Sequence, residues 1–206
     1  MNARTIAGRF FSILAVASVL AEPATAYEYP LSSTAIRDAY FVGSGDPVKL
    51  GNFLEQYAKR YPVAKSGQYV ASIRWETPYY IIAEYVSQAA ALASYHAPDA
   101  EQEFLGKPGL CRVRVEIYYG ISSTYTGPYQ TNYKVQLKQH DREIPTKRTW
   151  TEGMVSNDNA GPTIPGVYLT AEYSADDIDS GVPATVEVLA PDGNNVTATF
   201  DLDGLR

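Results

Sequence analysis

The sequence predicts an α+β protein in which a helical N-terminal part packs on an antiparallel β-sandwich. Residues 167–173, 184–190 and 196–202 alternate apolar and polar side chains with a period of two, which is typical of half-buried strands. Turn-forming residues separate these three segments. Apolar residues spaced by three and four between residues 31 and 105 predict the helices. Three short strands cannot bury their apolar faces alone, so we expect further strands upstream.

The first 26 residues have the features of a signal peptide. Arg4 and Arg9 supply positive charge, residues 10–21 are apolar, and residues 24–26 form an Ala-Thr-Ala cleavage motif. The apolar run is too short to span a bilayer, and no later segment is apolar enough to do so. The sequence therefore predicts export to the periplasm or the extracellular space without a transmembrane anchor, and a mature chain that begins at Tyr27.

The composition indicates a folded chain that does not bind nucleic acid. The chain has 206 residues, 45% of them hydrophobic, and a formal net charge of −6 at pH 7. The hydrophobic content argues against disorder, and an acidic chain gains nothing from the release of counterions on a phosphate backbone. The single cysteine, Cys111, excludes an intramolecular disulfide.

Residues 27–109 are predicted to be a mainly helical region with one strand. Ser32 or Ser33 can cap a first helix through its side-chain oxygen, and Gly43 is expected to supply a left-handed exit from it. Asp46 followed by proline is typical of the start of a second helix, whose apolar stripe extends to Tyr61.

The rest of this region contains the predicted strand and two further helices. Residues 68–76 alternate and predict the strand, and a Thr-Pro pair then begins a helix that we expect to reach Tyr95. Residues 99–106 indicate a short acidic helix. The Lys-Pro-Gly sequence at residues 107–109 is the best candidate for a boundary with the sandwich.

Residues 110–206 are predicted to form the β-sandwich domain. Alternation begins again at Leu110 and later includes residues 133–137. Residues 141–153 are predicted to be an edge strand broken at Pro145, because proline cannot donate a ladder hydrogen bond. Residues 154–166 contain many Gly, Pro and Asn residues and are predicted to form a long surface loop.

The last three predicted strands resemble a known family. The sequence LTAEYSADDI, a short glycine-containing gap, ATVEVLAPDG and an alternating strand that ends in Phe resemble the final strands of IPT/TIG immunoglobulin-like domains over residues 167–202. The resemblance implies an immunoglobulin-like sandwich and a non-catalytic module of an extracellular bacterial protein. As a whole, the chain resembles short secreted bacterial proteins, a likeness that implies no activity.

Few residues suggest catalysis. His96 lies at a predicted helix end, where a capping role is expected, and His140 ends a strand in a polar run. Cys111 lies on the apolar face of its strand, which indicates a small buried hydrophobe rather than a nucleophile. A hydrolase that acts on glycan or peptide remains an alternative, with Glu76 and Glu84 or the loop aspartates as its acids.

One acidic cluster suggests a weak calcium site. Asp176, Asp177 and Asp179 lie in a turn where sandwich loops could supply several oxygen ligands. The same residues are ordinary turn formers, and no glutamate follows at the spacing of an EF-hand. No other cofactor is expected.

The sequence contains 17 tyrosines, against 6 phenylalanines and 2 tryptophans. Five tyrosines lie in and around one loop rich in Thr, Ser and Gly: Tyr118, Tyr119, Tyr125, Tyr129 and Tyr133. Tyrosine combines a large contact area with a polar tip, which suits binding to sugars, peptides or another copy of the chain. An amphipathic rim of the sandwich would have the same composition.

The leading hypothesis is a non-catalytic exported protein that acts in binding or assembly at the cell envelope. Its partner would be a polysaccharide, a protein or a second copy of the chain. The alternatives are the hydrolase described above and a structural subunit of an extracellular filament or layer, in which exposed strand edges pair between subunits.

Overall fold

The computed structural model describes residues 28–64, 67–89, 94–120, 131–158 and 161–205, and the predicted signal peptide lies outside them. The described chain contains both helices and antiparallel strands, which confirms the α+β class. The helices are α1 (Ser33–Gly43), α2 (Pro47–Glu55), α3 (Pro78–Ala89) and α4 (Ala97–Phe104). The strands are β1 (Ala58–Arg60), β2 (Tyr69–Glu76), β3 (Leu110–Tyr118), β4 (Lys134–Gln139), β5 (Arg142–Ile144), β6 (Arg148–Asp158), β7 (Gly161–Ser174), β8 (Ala184–Leu189) and β9 (Val196–Phe200).

The strands form two antiparallel sheets. The larger sheet has the order β1-β2-β3-β7-β6, and the smaller has the order β5-β4-β8-β9. Alternate residues of both sheets contribute to one buried core, as the period of two predicted. The innermost positions are Ile73, Trp75, Cys111, Val113, Val115, Ile117, Val167, Leu169, Leu137, Val186, Val188, Ala198 and Phe200.

The chain passes from the smaller sheet to the larger one at Pro145. β5 ends at Ile144 and pairs with β4, whereas β6 begins at Arg148 and pairs with β7. The predicted edge strand that breaks at this proline is therefore confirmed, because β5 and β6 each lie at the edge of a sheet.

The predicted surface loop at residues 154–166 is wrong for residues 154–158 and 161–166, while residues 159 and 160 lie outside the described residues. β6 continues to Asp158, and β7 returns from Gly161 with Met154 opposite Gly166. Pairing between β6 and β7 satisfies the backbone N–H and C=O groups of a segment whose composition favours turns. Gly166 is required here, because a Cβ atom at this position would lie 2.2 Å from the carbonyl oxygen of Ile117 on the neighbouring strand.

The predicted starts of α1 and α2 are confirmed. The Ser32 side chain accepts a hydrogen bond from the backbone N–H of Ala35, and Asp46 accepts one from the backbone N–H of Val48. The helices pack through a second cluster of buried residues, separate from the core between the sheets. Its members are Ile36, Ala39, Tyr79, Ile82, Val86 and Ala100.

Two predicted helix ends are wrong. Gly43 is the last, buried residue of α1 rather than a left-handed exit, and it allows close packing because a Cβ atom there would lie 2.3 Å from the carbonyl oxygen of Ala83 on α3. α2 ends at Glu55 instead of Tyr61, since residues 58–60 pair with β2.

The boundaries of α3 and α4 also differ from the prediction. α3 is described to Ala89, and Tyr95 is not helical. α4 begins at Ala97 because Pro98 occupies its first turn, where the missing amide proton has no cost.

The larger sheet contains strands from both sides of the predicted boundary at residues 107–109. β2 pairs with β3 from Glu76 opposite Arg112 to Tyr69 opposite Tyr118. Residues 27–109 therefore contribute two strands, β1 and β2, where the sequence predicted one.

Within the described ranges, none of the helices is long and apolar enough to cross a membrane.

Candidate functional site

The predicted tyrosine cluster is only partly described, because Tyr125 and Tyr129 lie outside the described residues. Tyr118 is on the outer face of the larger sheet, where its ring stacks on Tyr69 with centroids 5.8 Å apart. Tyr119 and Tyr133 are both buried in the core. The described members of the cluster therefore do not share one surface.

A pocket next to this cluster brings aromatic and polar groups together. We call it the tyrosine pocket; its volume is about 400 Å³. It is lined by Tyr61, Pro62, Ala64, Gln68, Tyr69, Val70, Tyr133, Asp192, Asn194 and Val196. These residues come from the β1–β2 connection, the start of β2, the start of β4 and the β8–β9 hairpin.

The walls of the tyrosine pocket are held by hydrogen bonds. The backbone N–H of Tyr61 donates to the carbonyl of Ala71 at 2.8 Å, and the Tyr61 hydroxyl donates to the carbonyl of Thr197 at 2.9 Å. These bonds tie the β1–β2 connection to both sheets. In the hairpin, Gly193 has a φ of +82°, and Asp192 accepts hydrogen bonds from the backbone and side chain of Asn194.

The pKa values of the ionisable groups in the pocket are shifted in opposite directions. Hydrogen bonds from Asn194 lower the pKa of Asp192, so this exposed carboxylate is ionised at neutral pH. Burial raises the pKa of Tyr61, and burial with the charge of Asp192 raises the pKa of Tyr133. Both phenols therefore stay protonated at neutral pH.

A pocket with these groups can bind a ligand that has both apolar faces and hydroxyl or amide groups. The tyrosine rings offer flat apolar surfaces, while Gln68, Asp192 and Asn194 offer hydrogen-bond donors and acceptors. The sequence did not indicate this pocket, because Tyr61 and Tyr69 lie on regular apolar stripes and the hairpin residues are ordinary turn formers. Only the pairing of strands within each sheet and the packing of the two sheets against each other bring these distant segments together.

The outer face of the larger sheet contains a second candidate site, a network of ion pairs. Arg112 on β3 bonds to Glu172 on β7 at 3.2 Å, and Arg148 on β6 bonds to the same carboxylate at 2.9 Å. Arg114 bonds to Glu152 at 3.2 Å. The three arginines also lie over aromatic rings: Arg114 is 4.4 Å from the Tyr168 ring, and Arg148 and Arg112 are 4.7 Å and 5.8 Å from the Trp150 ring.

Glu76 is the unusual member of this face. Its side chain is 1% exposed, and its Oε1 atom has no hydrogen-bond partner among the described residues and lies 4.0 Å from Arg114. Burial, with a further contribution from the charge of Glu84, raises its pKa to about 7, against the lowering effect of Arg114, Arg74 and Arg112. The structure thus places the two predicted acids, Glu76 and Glu84, near enough to interact.

The remaining predicted residues lie elsewhere. His96 caps the start of α4 instead of a helix end, and its backbone N–H donates to Asp99 at 2.7 Å. His140 is exposed in the β4–β5 turn with a φ of 49°, as its solvated position predicted. Cys111 is buried on the inner face of β3, as predicted.

The three predicted calcium ligands lie around a short 3-10 helix at Ala175–Asp177. Asp176 accepts a hydrogen bond from the Ser174 hydroxyl, and Asp179 accepts one from the backbone N–H of Gly181, so both shape the turn. In the part of the chain that the structure describes, no group of three or more His, Cys, Asp or Glu side chains is arranged to hold a metal ion.

Comparisons with known proteins assign no family. No family model matches the chain, and no curated protein matches it. Among solved structures, the archaellum periplasmic stator protein FlaG from Sulfolobus acidocaldarius is similar over 43% of this chain and 85% of its own, with 15% identity and a TM-score of 0.27.

Proposed function

We propose that this protein is a non-catalytic exported protein that binds glycan at the cell envelope or outside the cell, through the tyrosine pocket. The observation that supports this proposal is the convergence of Tyr61, Tyr69 and Tyr133 with Gln68 and Asp192 around one pocket. Export rests on the signal-peptide features of residues 1–26.

The pocket belongs to a sandwich that we propose to be immunoglobulin-like. The strand order β2-β3-β7-β6 corresponds to the order A-B-E-D of that fold, and β5-β4-β8-β9 corresponds to C′-C-F-G. In this correspondence β7, β8 and β9 are the final strands E, F and G, which agrees with the resemblance of residues 167–202 to IPT/TIG domains. The helices α3 and α4 would then be an insertion between strands A and B.

Glycan is the ligand class that fits the pocket chemistry. Sugar rings have apolar faces that can lie on aromatic rings, and hydroxyl groups that pair with carboxylates and amides. Asp192 is an ionised acceptor at neutral pH, and the Asn194 and Gln68 amides can both donate and accept. A peptide has fewer hydroxyl groups to use these partners, so we favour a polysaccharide over a protein.

Retention on purified cell-envelope polysaccharides, followed by calorimetry with their oligosaccharide fragments, tests the proposal. We expect Tyr69→Ala to weaken binding about tenfold or more, because it removes an aromatic wall of the pocket. Tyr85→Ala is the matched control, since Tyr85 is a 41% exposed tyrosine on α3 outside the pocket. Equal loss in both variants, or no retention of the natural protein on any polysaccharide, would refute the proposal.

A hydrolase that uses Glu76 and Glu84 is the second candidate function. A pKa of about 7 suits a general acid, which is the observation in its favour. Against it, the Glu76 side chain is buried, so a substrate cannot reach it in this structure. New reducing ends in the retention experiment that disappear in Glu76→Gln would favour the hydrolase.

A further inference from the structure

A second pocket lies where the helices meet the larger sheet, on other elements than the tyrosine pocket. It has a volume of about 180 Å³ and lies between α3, the end of α4, the start of β3 and the segment at residues 29–31. Most of its wall is apolar, from Leu31, Ile81, Ile82, Phe104 and Leu110. We call it the junction pocket.

The walls of the junction pocket are fixed without a ligand. The backbone N–H of Gly109 donates to the Tyr29 hydroxyl at 2.9 Å, which holds the N-terminal segment over the start of β3. Gly109 allows this contact, because a Cβ atom there would lie 2.1 Å from the Tyr29 ring. Gly106, with a φ of +72°, turns the chain out of α4 and places Lys107 at the pocket. A preformed pocket does not lose binding energy to ordering its own walls.

The charge at the junction pocket is positive. Its two charged lining residues are Lys107 and Arg112. Arg112 is paired with Glu172, whereas Lys107 forms no ion pair with any carboxylate in the described ranges and lies 5.8 Å from the Phe104 ring. An apolar pocket with an uncompensated ammonium group beside it is complementary to a ligand that has an apolar tail and a negative head.

We infer that the junction pocket binds a hydrophobic monocarboxylate, such as a short acyl acid. The tail would lie among Ile81, Ile82 and Phe104, and the carboxylate would pair with Lys107. A dry cavity of roughly 150 Å³ admits a molecule the size of benzene, so a tail of about six to eight carbons suits this volume. Most of the binding energy would come from burial of the tail, because Lys107 is exposed and an exposed ion pair contributes little.

Calorimetry with three probes of equal tail length, octanoate, octanol and octylammonium, tests the inference on the full exported chain. Octanoate should bind most tightly and octylammonium least. Lys107→Ala should weaken octanoate binding about twofold to fivefold and leave octanol binding unchanged. Lys49→Ala, which removes an exposed lysine of α2 outside the pocket, should change neither.

A variant that fills the pocket distinguishes binding inside the pocket from non-specific binding to the protein surface. Ile81→Trp places a larger side chain in the wall, and it should abolish octanoate binding while circular dichroism shows a folded protein. Equal binding of octanoate and octylammonium, no binding of any probe, or normal binding in a folded Ile81→Trp variant would overturn the inference. Dimerisation that octanoate does not reverse would also overturn it, because a second copy of the chain would then fill the pocket.

Discussion

The two faces of the larger sheet differ although the same strands form both. On β3, Val113, Val115 and Ile117 point inward and are completely buried between the sheets. The intervening residues Arg112 and Arg114 point outward into the network of ion pairs. The comparison shows that successive residues of one strand have different roles: one side chain is buried in the apolar core, and the next forms ion pairs on the outer face.

The two faces should contribute to stability in different ways. Burial of one apolar side chain contributes about 1.5–3 kcal/mol, and the inner face contains many of them. Partly exposed ion pairs contribute about 0–1 kcal/mol each. The buried Glu76 carboxyl even opposes folding when it is ionised. The inner face should therefore determine how stable the protein is, and the outer face how stability depends on pH.

Truncation on the inner face should have the largest effect. Val115→Ala removes two methyl groups from a fully buried position, and we expect the free energy of unfolding to fall by about 2–4 kcal/mol. Val155→Ala makes the same change on β6 of the same sheet, where the side chain is 67% exposed, and should cost less than about 0.5 kcal/mol. Urea unfolding of both variants measures the difference. Similar losses would show that the inner face does not dominate stability.

Neutralising Glu76 should have the next largest effect, and its sign depends on pH. The pKa of Glu76 is about 7 in the folded protein and 4.5 in a model compound, so the folded state holds a proton that the unfolded state releases between these values. The stability contribution of this proton is fully present below about pH 4.5 and is lost as the pH rises through about 7. Ionised Glu76 then opposes folding by about 3 kcal/mol.

Urea unfolding from pH 4 to pH 8 measures this effect. Glu76→Gln should match the natural protein near pH 4.5 and exceed its stability by about 2–3 kcal/mol at pH 8. Glu152→Gln is the control, because Glu152 also contacts Arg114 but is 53% exposed, so its variant should keep the pH dependence of the natural protein. If Glu76→Gln also keeps that pH dependence, burial of Glu76 is not its cause.

Removing an aromatic ring from the outer face should have the smallest effect. Tyr168→Leu removes the ring 4.4 Å from the Arg114 guanidinium and should cost about 0.5–1 kcal/mol. Tyr168→Phe keeps the ring and should retain most of that energy. Thermal unfolding of the two variants distinguishes the ring from the hydroxyl, and equal losses would contradict a cation–π contribution.

Much of the fold follows from short-range patterns that the sequence displays. The start of α2 depends on one hydrogen bond between Asp46 and the N–H of Val48, two residues away. The strands β3, β7, β8 and β9 follow from alternation within each segment. Predictions of this kind were confirmed because the groups that decide them are neighbours in the chain.

Predictions were wrong where distant partners decide the conformation. Residues 154–158 and 161–166 contain turn formers, yet they extend β6 and begin β7 because each strand satisfies the backbone hydrogen-bonding groups of the other. Residues 58–60 continue an apolar helical stripe, yet they pair with β2. The backbone amides of residues 58–60 can form hydrogen bonds either in a helical turn or with a neighbouring strand. Which of the two forms depends on whether the fold places a strand beside them.

The sequence by itself determined the α+β class, the starts of α1 and α2 and the inward and outward alternation of the strands, because propensity, capping and periodicity act over a few residues. Only the tertiary structure decided which residues share a pocket. Gln68 precedes β2 of the larger sheet and Asp192 lies in the β8–β9 turn of the smaller sheet, and the packing of the two sheets places both at one pocket. Glu76 is unusual only because other elements exclude water from it. Burial and convergence are properties of contacts between distant segments, and no local pattern encodes them.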